Sequence, residues 1–493
     1  MRRRGRSARA GARWLASALA LALAATGCSA QPPSPVTEPA APKAAPEQAA
    51  APEAAPPAQA AAAAPEDDPS RAAQPEVRRM LETVARARGL PIRRDVPGRV
   101  LDRGAILARI RAHVEKEIPA EELVYQGEVL ASLELIPADY DFAAGMYRLL
   151  EGRIAGFYEP ADATMYLVDD LGENEAEETL AHELAHALQD QSFPLGPMLK
   201  HAPGDSDRLA AAHALIEGDA TSAMLDVAAG SAFNIDEALL RKLVAVSTAL
   251  SSVGDTPRAL QESLAVPYTD GFSFVQHLRR KGGWPAVDEA WRALPESTEQ
   301  LLHPEKFAKR EKPVYVPAPP IDALGPGFSA VFNDVMGEQG TRIAFEDYAH
   351  RDLAVAAAAG WGGDRLVVAR RERPEAPGHV EYALAWRLRF DMPADAREAA
   401  RVLEARFGRA CRARPALGPV AWAIRDSDVA MVAGPYERAG ASAAGAGARA
   451  AKATGTCAKT KAWLDAVIKA PLGGAPGQNG GGAPGNPGGA APR

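Results

Sequence analysis

The chain reads as an α+β protein: a mainly helical domain carrying a β-hairpin, followed by a smaller α+β domain. Three observations point there. Apolar residues recur at helical spacing through most of residues 75–324, interrupted by one stretch with the period of strands. From 325 to 470 strands and helices are mixed. The 493 residues are also more than one core ordinarily organises.

The first element, residues 1–27, reads as an export signal. Six arginines (Arg2, Arg3, Arg4, Arg6, Arg9, Arg13) precede an apolar run from Trp14 to Ala25, too short for a comfortable permanent span. The run ends in Ala25-Thr26-Gly27-Cys28, which resembles the lipobox of bacterial lipoproteins. That resemblance implies cleavage before Cys28, a lipid on its thiol and anchoring in the cell membrane or outer membrane. Ser29, rather than aspartate, favours the outer membrane. A plain secretory signal is the alternative. Residues 28–74 are almost entirely Ala, Pro, Glu and Gln, have little to bury, and read as a disordered tether. Residues 471–493, rich in Gly, Pro and Ala, read as a disordered tail.

Helices come next. Val77, Met80, Leu81 and Val84 share one face of Glu76 to Arg88, and Asp102 is placed to cap a helix carrying Ile106, Leu107, Ile110 and Val114. A third runs from Glu121 to Leu135. The period then changes: Ile154 to Pro160, a turn at Ala161 to Ala163, and Thr164 to Val168 read as a β-hairpin. An acidic helix start, Glu173 to Glu178, follows and suits the positive end of a helix.

That helix contains His182-Glu183-Leu184-Ala185-His186. Histidines four apart lie on one helical face, so both imidazoles can reach one ion. Glu183 sits about 100° further round and can reach a water beside that ion, which makes it the candidate general base. Zinc needs a third protein ligand and an open position. Gln189 and Ser192 stand where a metzincin would have glycine and histidine, so the third ligand lies elsewhere. Glu217, on a second helical segment from Arg208 to Val227, is the better candidate, with His213 one turn earlier as its rival.

With the hairpin, the His-Glu-x-x-His helix and Glu217-Gly218-Asp219-Ala220, the chain resembles the gluzincin group of zinc metallopeptidases. It also resembles bacterial exported proteins that continue with Tyr-Thr-x-Gly-x-x-Phe, here Tyr268 to Phe274. The resemblance implies a zincin-like domain in which one Zn2+ is held by His182, His186 and Glu217. Glu183 would activate water, and an extended peptide would lie along the strand near Thr164 to Val168. Thr221 stands where thermolysin-like enzymes have aspartate, which leaves Asp219 and Asp226 as possible partners of the histidines. Tyr268, just ahead of a helix from Phe274 to Arg280, could donate to an oxyanion, or simply pack there. His303 is a weaker candidate to line the cleft.

The second domain reads as strands Arg365–Arg371 and Tyr382–Phe390, helix Ala394–Phe407, strands Ala421–Ile424 and Val429–Ala433, and helix Thr456–Ile468. In an oxidising compartment Cys411 and Cys457 could pair; two separate thiols are the alternative. The net charge is −7, more acidic still without the leader arginines, and no basic stripe suggests nucleic acid. The expected activity is hydrolysis of peptides or proteins by a membrane-anchored zinc enzyme. A non-catalytic zincin-like lipoprotein scaffold of the cell envelope is the alternative.

Overall fold

The computed structural model describes residues 69–151, 154–200, 204–242, 256–438 and 450–472. The export segment, Cys28, the tether and the tail lie outside the described residues. The fold is α+β, as expected. Among the described residues no helix is long and apolar enough to cross a membrane.

The chain opens with α1 (Pro69–Arg88), β1 (Gly98–Leu101), α2 (Arg103–Glu117), α3 (Ala120–Ser132) and α4 (Phe142–Glu151). Asp102 does cap α2, accepting from Ala105 N at 2.9 Å. The hairpin follows as β2 (Gly156–Glu159) and β3 (Thr164–Val168), then α5 (Glu173–Ser192), α6 (Leu195–Met198), α7 (Ser206–Ala229) and α8 (Arg258–Arg292). Helix α8 is broken at Gly282 and Gly283, where Gly283 takes φ 64°.

The hairpin belongs to a three-stranded sheet of order β1-β3-β2, with β1 parallel and β2 antiparallel to β3. This corrects the expected substrate strand. Thr164–Val168 is the central strand, so both its edges are hydrogen-bonded to neighbours and it cannot receive an extended peptide. Strands β1 and β2 form the edges instead. Strand β1 went unseen because it is only four residues long, begins at glycine and pairs across more than sixty residues of sequence.

The rest of the chain supplies α9 (Thr298–Leu302), α10 (Pro304–Lys309), β4 (Ser329–Asp334), α11 (Gly337–Tyr348), α12 (Arg351–Ala358), β5 (Trp361–Glu372), β6 (Val380–Phe390), α13 (Pro393–Phe407), β7 (Val420–Arg425), β8 (Asp428–Arg438), β9 (Ala451–Ala453) and α14 (Cys457–Lys469). The strands form an antiparallel sheet of order β4-β5-β6-β8-β7, with β9 also on β8. Both faces are covered. Along β6, Tyr382, Leu384, Trp386 and Leu388 turn to one core, while Ala383 and Ala385 turn to Trp463, Leu464 and Val467 of α14 on the other. A disulfide joins Cys411 to Cys457 at the start of α14.

One hydrophobic cluster runs through both halves of the chain. Ile110, Leu133 and Leu149 from the early helices belong with Phe345, Trp386 and Tyr436 from the later ones. Polar contacts follow the same seam. Glu128 accepts from Tyr436 Oη at 2.6 Å and pairs with Arg438 at 2.9 Å, while Arg414 donates to the Ser132 carbonyl at 2.9 Å.

Candidate metal centre

Three helices build the site. Helix α5 is apolar on the side that packs into the protein: Leu184, Ala187 and Leu188 are fully buried. It crosses α7, which is buried along nearly its whole length from Leu209 to Met224. Helix α8 packs along α7. Their crossing point is a pair of glycines, Gly218 and Gly271, each with the other helix's backbone where a side chain would be. The glycine of the Glu-Gly-Asp-Ala segment thus meets the glycine of the Tyr-Thr-Asp-Gly-Phe segment.

Near this crossing three potential ligand atoms converge. His182 Nε2 lies 3.1 Å from His186 Nε2 and 3.1 Å from Glu217 Oε2, and His186 Nε2 lies 3.6 Å from the same oxygen. All three residues are buried. A tetrahedral zinc with bonds of about 2.0–2.1 Å separates its ligand atoms by roughly 3.3 Å. The triangle has that size, and two imidazoles with one carboxylate are a zinc donor set.

The charges at the site also suit a cation. Burial alone would depress the pKa of His186, but the Glu217 carboxylate, aided by Glu183 and Gln189, raises it to about 9. Burial likewise works against the Glu217 carboxylate, yet His186, His182 and His213 hold it well below the usual range. One turn before His182, partial burial together with Glu175 and Glu177 pushes Glu178 up to about 7.

The surrounding contacts fix each group. Glu183 is buried, and its Oε2 accepts the Tyr158 backbone N–H at 2.8 Å. Tyr158 is on edge strand β2, so the strand and the motif are joined directly. His213, the rival ligand, instead donates from Nε2 to the other oxygen of Glu217, Oε1, at 3.2 Å. Gln189 Oε1 lies 2.8 Å from His186 Nδ1, and Gln189 Nε2 donates to the Ile216 carbonyl at 3.1 Å. Sequence reading considered Gln189 only as a missing glycine. Its place three residues after a ligand histidine, on the same helical side, was the signal available.

Neither proposed aspartate touches the histidines. Asp219 is held by Arg88 at 2.6 Å and by the Trp291 indole, also at 2.6 Å. Asp226 pairs with Arg279 at 2.7 Å and accepts from Ala232 N. Both point from the opposite side of α7 into packing between helices. Tyr268 does adjoin the site, buried, with its ring 5.9 Å from that of His182. It does so from inside α8, not ahead of a helix as expected. His303 is not part of the ligand group: it pairs with Glu338 at 2.9 Å, and that carboxylate raises its pKa.

Comparison with known proteins adds little. A family described only as a domain of unknown function (DUF8575) matches residues 327–444, within the second half of the chain. No curated protein matches. A solved structure from Chloroflexus aurantiacus, described as that of a candidate hydrolase with a novel fold, aligns with 49% of this chain and 91% of its own. The identity is 17% and the TM-score 0.33, a likeness too weak to assign fold or chemistry.

Proposed function

We propose that the chain is a zinc-dependent peptidase of the zincin-like, gluzincin type, exported and tethered to a membrane by a lipid on Cys28. One observation carries the reading: His182 Nε2, His186 Nε2 and Glu217 Oε2 form a buried triangle of zinc dimensions, with the Glu183 carboxylate beside it and outside that group.

His182, His186 and Glu217 would hold the ion, which supplies Lewis acidity toward water and a peptide carbonyl. The chain's own groups do the rest. Glu183, oriented by the Tyr158 N–H, takes a proton from the attacking water as its oxygen bonds to the carbonyl carbon. The same carboxyl then gives that proton to the amine nitrogen as the C–N bond breaks. Tyr268, beside His182, is the candidate donor to the oxyanion. An extended peptide would pair at an edge of the three-stranded sheet, on β1 or β2, each of which has a strand on one side only among the described residues.

The test is zinc content and hydrolysis of a mixed peptide library by the purified protein, beside Glu183→Gln. The expected result is one zinc per chain in both and cleavage by wild type only. Wild-type protein without stoichiometric zinc, or equal cleavage by the variant, would overturn the reading.

A further inference from the structure

Gln189 is fully buried and lies on α5 one turn beyond His186. Its two polar atoms have different partners, and chemistry allows only one arrangement. The Ile216 carbonyl can only accept, so the Gln189 amide nitrogen must face it, as it does at 3.1 Å. That leaves Oε1, an acceptor, against His186 Nδ1 at 2.8 Å. Two acceptors would repel there, so Nδ1 must carry the hydrogen. In the neutral ring the lone pair then sits on Nε2, the atom that faces His182 and Glu217.

The second contact matters equally. Ile216 immediately precedes Glu217, so the bond from Gln189 to its carbonyl ties α5 to α7 at the level of the third ligand. A single side chain therefore keeps the neutral His186 ring's hydrogen on Nδ1 and fixes the offset of the helix that carries Glu217.

We propose that Gln189 is a positioning residue for the metal. It selects the Nδ1–H form of His186 and sets the α5–α7 spacing, so that the donor triangle stands assembled before the ion arrives. This rests on the metal-site reading. The residue does not contact ion or substrate; it acts through His186 and the backbone before Glu217.

The experiment measures zinc affinity by competition with a chelator at fixed pH for wild type, Gln189→Met and Gln189→Glu. Thermal unfolding of the metal-free proteins is followed in parallel. Methionine matches the volume but removes both hydrogen bonds, and is expected to weaken zinc binding by about 10–100-fold. Glutamate keeps an acceptor for Nδ1–H and is expected to bind about tenfold more tightly than the methionine variant. An affinity for Gln189→Met within about threefold of wild type would overturn the proposal, whatever its stability. So would Gln189→Glu binding no better than Gln189→Met, since packing alone would then account for the loss. Should Gln189→Met not fold, 15N spectra of histidine-labelled, zinc-loaded wild type decide: coordination through His186 Nε2 supports the proposal and coordination through Nδ1 overturns it. A wild type that binds no zinc fails the metal reading itself. A wild type that binds while Gln189→Met binds equally well fails only the role of Gln189.

Discussion

Gly218 and Gly271 touch backbone to backbone. A Cβ on Gly218 would stand 2.1 Å from the Gly271 carbonyl carbon, and one on Gly271 would stand 1.9 Å from the Ala214 carbonyl oxygen. Helices α7 and α8 can cross at this depth only because neither has a side chain there. Gly218→Ala should therefore force the helices apart, cost roughly 3 kcal/mol or more, and carry Glu217 out of the triangle. Thermal unfolding and zinc content measured together check this. A variant with the melting temperature and metal content of wild type would contradict it.

The bond from Tyr158 N to Glu183 is made by backbone, so proline can remove it. Tyr158 is on an edge strand, where its N–H faces away from β3 and proline is tolerated. Tyr158→Ala and Tyr158→Pro both lose the ring and its hydroxyl contacts with Arg94 and Asp190. Only the proline variant also loses the donor to Glu183. We expect kcat/KM for Tyr158→Pro to fall about tenfold or more below that of Tyr158→Ala, with zinc affinity equal in the two. Equal kinetics would show that Glu183 needs no help from the strand.

Stability should fall as the solution becomes alkaline. Burial, offset in part by bonds from Thr298, raises Asp207 at the start of α7 to about 8. Burial likewise raises Asp334, which accepts from Ser206, to about 7. Both start from ordinary carboxyl values near 4 in the unfolded chain. The folded state therefore binds protons that the unfolded state has released, and this contribution to stability is present in full below about pH 4 and lost as pH rises toward 8. Asp207→Asn keeps an acceptor for Thr298 and should flatten the decline. Denaturant midpoints between pH 5 and 8.5 check it; parallel curves for wild type and variant would refute it.

The two halves of the chain should not separate. Deleting residues 325–493 would strand Glu128 without Tyr436 and Arg438 and expose Ile110, Leu133 and Leu149. An unpaired buried carboxylate together with that apolar area predicts an insoluble or protease-labile fragment. Limited proteolysis and solubility of the truncated protein test this. Reducing the Cys411–Cys457 bond is a milder change, expected to cost about 2–4 kcal/mol without releasing zinc.

Much of this arrangement was legible from periodicity and spacing. The hairpin, α5, α7 and the strands β5 to β8 each carry their pattern locally, so each was found within a few residues. The helix that carries Glu217 could be read because Arg208 to Val227 has apolar residues at helical spacing, and the crossing then follows from two helices that must bury their flanks together. What escaped depends on partners remote in sequence. Strand β1 gains its meaning only from Met165 and Tyr166, and Gln189 only from the carbonyl of Ile216. Tyr268 was placed ahead of a helix starting at Phe274, whereas α8 begins at Arg258 and runs through Pro267. Asp219 and Asp226 looked like partners of the histidines by proximity along the chain. They fall on the opposite side of α7, where Arg88 and Arg279 need counter-charges.

Glu217 divides its two oxygens between different neighbours, Oε2 toward His182 and His186 and Oε1 toward His213. This bears on discrimination among ions. Calcium seeks six or more oxygens and often a carboxylate gripping with both, and magnesium seeks an octahedron of hard donors. Among the described residues the ligand group offers one carboxylate oxygen beside two nitrogens of intermediate softness. Calcium and magnesium would thus compete poorly for this position, even at concentrations far above those of a borderline metal.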